Sequence, residues 1–218
     1  MRAYQQMFVC FGPRHWWPAD TPLEVMVGAV LTQNTAWTNV EKAIENIRAA
    51  GALTLEALAN ISVETLAEWI RPSGYYNLKA KRLKALILFL HDTYGGDLKK
   101  MAQTPIPLLR KHLLNVHGIG EETADSILLY ALDKPVFVVD AYTRRILSRH
   151  RMIEPKATYG EIQRLFMEHL PEDAALFNEY HALIVETGKT FCRKTPRCAG
   201  CPLAGLNGAN VAPNIPPD

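Results

Sequence analysis

The chain has 218 residues, 48% of them hydrophobic and 21% charged, which places it among ordinary globular proteins able to bury a full core. Its formal net charge is only +2, so composition does not announce a nucleic-acid partner and any basic surface has to be local. No apolar run reaches the length of a membrane span and the first residues lack the pattern of a signal peptide, so a cytoplasmic protein is expected.

Taken in order, the first landmark is Trp16-Trp17-Pro18, where the proline stops any helix. A single tryptophan is ordinarily a hydrophobic plug, but two adjacent indoles do not bury easily on one side, so one of them is a candidate to face a cleft. From Thr21 a helix is expected, with Thr21 as N-cap, Pro22 at the first helical position and Glu24 completing a capping box. It ends in Thr32-Gln33-Asn34-Thr35. Neutral hydrogen-bonding side chains there suit base edges, and equally suit a satisfied polar helix end. Helices follow over 37–50, 55–59 and 63–70, the second of them ending before Ser62, which caps the third.

A glycine turn at Gly74 then presents Tyr75 and Tyr76. The next helix carries Lys79, Lys81, Arg82 and Lys84 near its start, where cations oppose the helix dipole. Such a run either faces an anion or is a solvated face. Pro105 and Pro107 open a helix leading to His117-Gly-Ile-Gly120, and residues 121–132 form the helix that leaves it. Glycines at such a hairpin accept positive φ and bare backbone N–H groups beside a helix N-terminus, a geometry that binds phosphate. Val136 to Val139 is a short apolar run that needs burial, followed by Asp140 and a helical pattern, so one carboxylate stands at the lip of a core. Its plainest role is an N-cap. Helices are expected over 158–170 and 173–187, the last stopped by Gly188, and a proline-rich tail over 209–218 is expected to be disordered. No stretch alternates with period two, so the fold class is all-α. Cys192, Cys198 and Cys201 cluster near the end, with Cys10 far away; in a cytosolic chain such clustering favours a metal site over disulfides. Lys189, Arg193, Lys194 and Arg197 surround them as a local basic patch suited to phosphate contact.

In this order, and over nearly the whole chain, the hairpin, Asp140, the TQNT segment, the GYYN turn and the cysteine tail resemble the endonuclease III superfamily of helix-hairpin-helix DNA glycosylases. Within it, WWP, VGAVLTQNT and RPSGYYNLKAKR are most similar to the bacterial 3-methyladenine DNA glycosylases of endonuclease III type. The resemblance implies a two-lobed helix-hairpin-helix fold with a C-terminal cysteine-cluster loop. One six-helix lobe would span 22–134, and a second would combine 1–21 with 135–208. Double-stranded DNA would lie in a cleft of a monomer associated with the nucleoid, with a damaged nucleotide flipped into a pocket between the lobes and Asp140 at its mouth as the catalytic acid group. N–H groups at a helix start keep a carboxylate ionised, which suits stabilising an oxocarbenium-like sugar and orienting water.

The resemblance further implies a base pocket at Trp16 or Trp17, gap filling by Gln33, a wedge at Tyr75, and phosphate contacts from His117, Gly118, Gly120, Lys194 and Arg197. Glu122 stands where bifunctional relatives carry the lysine that forms a Schiff base, and a carboxylate cannot form one. Base release by water without efficient abasic-site cleavage is therefore expected, with an alkylated purine as the suitable leaving group. A glycosylase for oxidised pyrimidines with weak lyase action, and a non-catalytic module that binds damaged DNA, are the competing readings. The resemblance also implies a [4Fe-4S] cluster on Cys192, Cys198 and Cys201, with Asn207 where the pattern has its fourth cysteine. Another ligand such as Asn207, water or Cys10, a zinc ion with a histidine, or an empty remnant are the forms that departure leaves open; a cluster is the expected one.

Overall fold

The computed structural model describes residues 1–206, and within them every regular element is helical. Asn207 and the tail 209–218, expected to be disordered, lie outside the described residues. The chain divides into two compact units, Trp17–Lys134 and the pair of segments Met1–Trp16 and Pro135 onward. No helix among the described residues is long and apolar enough to cross a membrane.

The first helix, α1 (Arg2–Phe11), is absent from the sequence expectations. It has no side-chain cap to mark its start, buries only Met7 fully and packs on the last helix. The unit Trp17–Lys134 begins with α2 (Pro22–Leu31), in which every residue from Leu23 to Leu31 is buried. A helix apolar on all sides belongs inside its unit. Around it stand α3 (Trp37–Ala49), α4 (Leu55–Asn60), α5 (Val63–Trp69), a 3-10 turn (Arg71–Ser73) and the long α6 (Tyr76–Tyr94). Two short helices, α7 (Leu98–Ala102) and α8 (Ile106–Leu114), lead to the hairpin. After it α9 (Glu121–Ser126) widens into a π-helical turn (Ile127–Ala131). Thr21 caps α2 by accepting the Glu24 N–H at 3.2 Å, but the Glu24 carboxylate takes the N–H of Asp20 instead of closing the expected box. It also holds Arg48 at 2.7 Å, which ties α2 to α3.

The cations at the start of α6 are not a solvated face. Lys79 is fully buried and donates to the Leu31 carbonyl at 2.8 Å and the Ser73 carbonyl at 2.6 Å. Lys84 donates to the Leu58, Ala59 and Ile61 carbonyls at the end of α4, and Arg82 reaches Gln33 at 2.5 Å. Only Lys81 of the four is exposed. The last carbonyls of short helices have no intrahelical donor, and these side chains supply one.

In the other unit, α10 (Ala141–Arg149), α11 (Tyr159–Met167) and α12 (Ala174–Thr190) complete the helices, with α12 packed on α1 and α10. Val136 to Val139 runs extended through the core, as its composition demands. Phe137 stacks on Phe166 with centroids 3.8 Å apart and meets Phe177 edge-on. The run's backbone is satisfied by side chains: the Phe137 carbonyl accepts from Gln163 at 2.7 Å and the Val139 N–H donates to the Tyr159 hydroxyl at 3.3 Å. Gly188 does not end the last helix; the Tyr142 ring occupies the place where its side chain would be.

Burial, then the charge of Arg82, pulls the Lys79 pKa down to about 8. An unfolded chain keeps a lysine proton to about 10.4. Between those values the unfolded state binds more protons, so the contribution of Lys79 to stability rises with pH. In urea unfolding, the stability difference between the wild type and Lys79→Met should therefore shift in favour of the wild type between pH 8 and 10. A difference that stays flat would exclude a depressed lysine.

Candidate functional site

Four features carry chemistry. In the unit Trp17–Lys134 the hairpin turns at Gly118, with φ 83°, a left-handed conformation that favours glycine. A side chain there would also collide with the stem of Arg82. Gly120 needs no positive φ, at −93°; it begins α9, and the space where its side chain would be is open. His117 and Gly120 are exposed while Ile119 is buried, so the loop is anchored by one apolar residue and offers its backbone outward. Beneath it Arg110 grips the fully buried Asp125 at 2.7 and 3.0 Å, clamping α8 to α9.

Gln33 belongs to the same assembly. Its amide donates to the Gly118 carbonyl at 3.2 Å and to the Thr123 hydroxyl at 3.0 Å, and its oxygen accepts from Arg82. The end of α2 and the hairpin are thus joined by one side chain. Tyr75 stands before α6 with φ 46° and is 72% exposed. A bulky residue held in the left-handed region costs about 1 kcal/mol or more and is found where function needs it. Glu122 is exposed in the first turn of α9, beside the hairpin.

A cavity of about 820 Å³ lies in this unit, walled by Trp17 and Trp37 and rimmed by Asp20, Glu41, Glu45 and Arg48. The indoles meet edge-on with centroids 5.2 Å apart, and Glu41 accepts the Trp37 N–H at 2.8 Å. Trp17 lies against Gly28 of α2, where a larger residue would press on its ring at 3.1 Å. Trp16 falls in the other unit, with the Lys189 ammonium 5.9 Å from its ring centre.

In that unit Asp140 caps α10. Its Oδ1 accepts from the Thr143 N–H at 2.7 Å and the Thr143 hydroxyl at 2.8 Å, and His181 of α12 stands 3.8 Å from the same oxygen. Burial pushes the Asp140 carboxyl up, but His181 and the two Thr143 donors outweigh it and hold it below the ordinary carboxylate range. The group is an anchored anion at neutral pH. With the donors gathered on Oδ1, it is built to hold charge in one place and makes a weak base.

Residues 27–172 match the family model of the HhH-GPD superfamily base excision DNA repair proteins. The chain belongs to this superfamily. It is 50% identical over 204 residues, 93% of this chain and 92% of the relative, to a putative DNA repair glycosylase of Methanocaldococcus jannaschii. It is 30% identical to endonuclease III of Thermotoga maritima over 87% of this chain and 83% of that protein. Among solved structures, the H. pylori 3-methyladenine DNA glycosylase bound to 1,N6-ethenoadenine superposes with a TM-score of 0.72 at 31% identity, covering 87% of this chain and 98% of that one. A trapped endonuclease III–DNA covalent intermediate superposes at 0.80 with 23% identity, over 94% of this chain and 92% of that one, a likeness of fold. An HhH-GPD chain is a DNA repair glycosylase, and the all-α helix-hairpin-helix fold is the one expected from the sequence.

Cys192, Cys198 and Cys201 of this HhH-GPD chain line a small cavity of about 20 Å³ with Arg149, His150 and Phe191. Burial, followed by the neighbouring thiols, pushes the Cys201 pKa up. Arg149 donates to the Cys192 sulfur at 3.3 Å and to the Arg193 and Lys194 carbonyls, while Arg145 holds the Cys192 carbonyl at 2.6 Å. No three His, Cys, Asp or Glu side chains among the described residues converge on a point that could hold a metal ion. Cys10 of α1 is the fourth thiol, felt by Cys201 beside those of Cys192 and Cys198. Lys194 and Arg197 are exposed on this loop.

Two residues of these assemblies escape sequence reasoning: His181 and Trp37. Each lies on an amphipathic helix where its neighbours explain its presence as packing, and only the fold reveals what it meets. If His181 helps hold the Asp140 carboxylate ionised, His181→Asn should raise the Asp140 pKa, measured by carbon NMR titration of the labelled carboxyl; no upward shift would remove His181 from the site.

Proposed function

We propose that this glycosylase excises an alkylated purine by Asp140-assisted hydrolysis, without efficient abasic-site lyase action. The observation that carries the substrate class is the cavity walled by Trp17 and Trp37, whose lining sets four carboxylates, Asp20, Glu24, Glu41 and Glu45, against the two cations Lys42 and Arg48 and so stays net negative. Indole faces and carboxylates together favour a cation, and an N-alkylated purine is cationic where thymine glycol is neutral. The 31% identical 3-methyladenine DNA glycosylase of H. pylori supports the same class.

In the reaction, the N-glycosidic bond breaks with its electron pair leaving on the base, which departs neutral. Positive charge grows on the sugar and is held by the ionised Asp140, and water adds to the sugar carbon and gives up its proton. Glu122 has no amine, so this path forms no covalent sugar intermediate with the hairpin. The hairpin at His117, Gly118 and Gly120, with Lys194 and Arg197, would hold phosphates, and Tyr75 and Gln33 would enter the duplex at the vacated position. Gln33 would exchange its bonds to Gly118 and Thr123 for base edges. A cluster at Cys192, Cys198 and Cys201 is not part of this proposal.

Asparagine caps helices about as well as aspartate. Asp140→Asn should therefore leave folding and DNA binding intact while single-turnover excision falls by about 10²-fold or more. Equal excision by the variant would reduce Asp140 to a cap. Replacing Trp17 and Trp37 by alanine should cost about tenfold or more in 3-methyladenine release, with smaller loss on thymine glycol duplexes. The 30% identical endonuclease III favours a second reading, oxidised pyrimidines; preferential release of thymine glycol, or a borohydride-trapped covalent complex, would establish it over the first.

A further inference from the structure

The cations of α6 suggest a role for one residue outside the machinery described so far. Lys79 is among the largest fully buried side chains of the protein, and its partners are two carbonyls, not an acid. Those carbonyls are specific in place. Leu31 ends α2, two residues before Gln33, and Ser73 ends the 3-10 turn, two residues before Tyr75. Ser73 is itself fully buried and donates its hydroxyl to the Ile70 carbonyl at 2.7 Å, so this end of the turn is fixed from both sides.

We propose that Lys79 is a positioning residue for DNA recognition: its ammonium ties the end of α2 to the turn before α6 and so sets the spacing between Gln33 and Tyr75. The inference rests on the reading of those two residues as the side chains that enter the duplex.

The chemistry favours a clamp with little play. A buried ammonium that lost either carbonyl would leave a charge unsatisfied in an apolar surround, so both bonds are kept together. Its depressed pKa records the burial, and even the neutral amine retains two N–H groups for the two carbonyls. One turn further along α6, Arg82 holds the Gln33 side chain itself, so backbone and side chain of the α2 end are fixed from the same helix. On the far side, Gly74 and Tyr75 both have positive φ, and a strained turn of this kind needs an external tie to keep its geometry. An apolar isostere would fill the same volume and remove both ties at once.

The test uses the full-length protein and a duplex carrying a tetrahydrofuran abasic analogue, with 2-aminopurine beside the lesion to report unstacking, and a 3-methyladenine duplex for single-turnover excision. Lys79→Met, assayed well below its unfolding midpoint, is expected to lose on the order of tenfold in excision and to weaken the 2-aminopurine signal. Combined with Gln33→Ala and Tyr75→Ala, the same substitution should add less than about twofold, because nothing is left to position. An unchanged signal and rate in Lys79→Met, or a loss of the same size in both backgrounds, would overturn the inference and leave Lys79 as a stabilising residue only. If Gln33→Ala and Tyr75→Ala themselves bind and excise as the wild type does, the reading of these two residues fails and the inference falls with it. Should Lys79→Met not purify folded, Lys79→Gln serves: its amide is one bond short of reaching both carbonyls, and the same two backgrounds decide the outcome.

Discussion

A helix that ends inside a protein leaves carbonyl groups that something must satisfy, and much of the unit Trp17–Lys134 depends on how that is done. Its central helix is buried on every side and its neighbours are short, so helix ends are numerous and close to the core. Water is excluded from the deepest of them. The solution is a set of long cations on α6 that reach backward under the loops: Lys79 to Leu31 and Ser73, Lys84 to the end of α4, Arg82 to Gln33. Those loops also bear Gln33, Tyr75 and, through Gln33, the hairpin, so the atoms that satisfy the helix ends also fix where these residues stand.

The other unit uses the opposite charge in the same way. Asp140 satisfies the start of α10 as an N-cap, and the bonds that make it a good cap also keep it anionic. The cap uses one oxygen, Oδ1, for both Thr143 donors. The basic residues of α10 are spent inward, Arg144 on the Ala157 carbonyl, Arg145 and Arg149 on the cysteine loop. Exposed charge is left on the loop itself, at Lys194 and Arg197, a local basic surface on a chain of net charge +2.

The sequence exposed the all-α class, the hairpin and the Asp140 position because each rests on local chemistry: glycine spacing, an apolar run broken by a carboxylate, absence of alternation. It did not expose α1, where Tyr4, Met7, Phe8 and Phe11 recur at helical spacing but no cap marks a start, and whose packing partner lies far along the chain. It misjudged the α6 cations, since a run of lysines looks the same whether it faces solvent or reaches into carbonyls. Trp37 and His181 were invisible for a related reason: an indole or an imidazole on an amphipathic helix is explained by packing until the cavity or carboxylate beside it is known. The cysteine spacing carried its family resemblance clearly, yet spacing does not include the guanidinium groups of Arg145 and Arg149 that hold the loop.

The segment Trp17–Lys134 interrupts the sequence of the other unit, and this has a consequence for how the chain emerges from the ribosome. Arg14 pairs with Glu179 and Glu186, 165 and 172 residues later, so the partner surface of α1 does not exist until nearly the whole chain has been made. For most of synthesis α1 carries Tyr4 and Met7 without the surface that covers them. Closing so long a loop is slow when the loop is unfolded, but the interrupting unit is compact by itself and draws its two ends of chain together as it forms. The unit Trp17–Lys134 would then be finished first and the other would close after it, once its last segment has been made, which makes vectorial synthesis, from first residue to last, a natural direction for this fold.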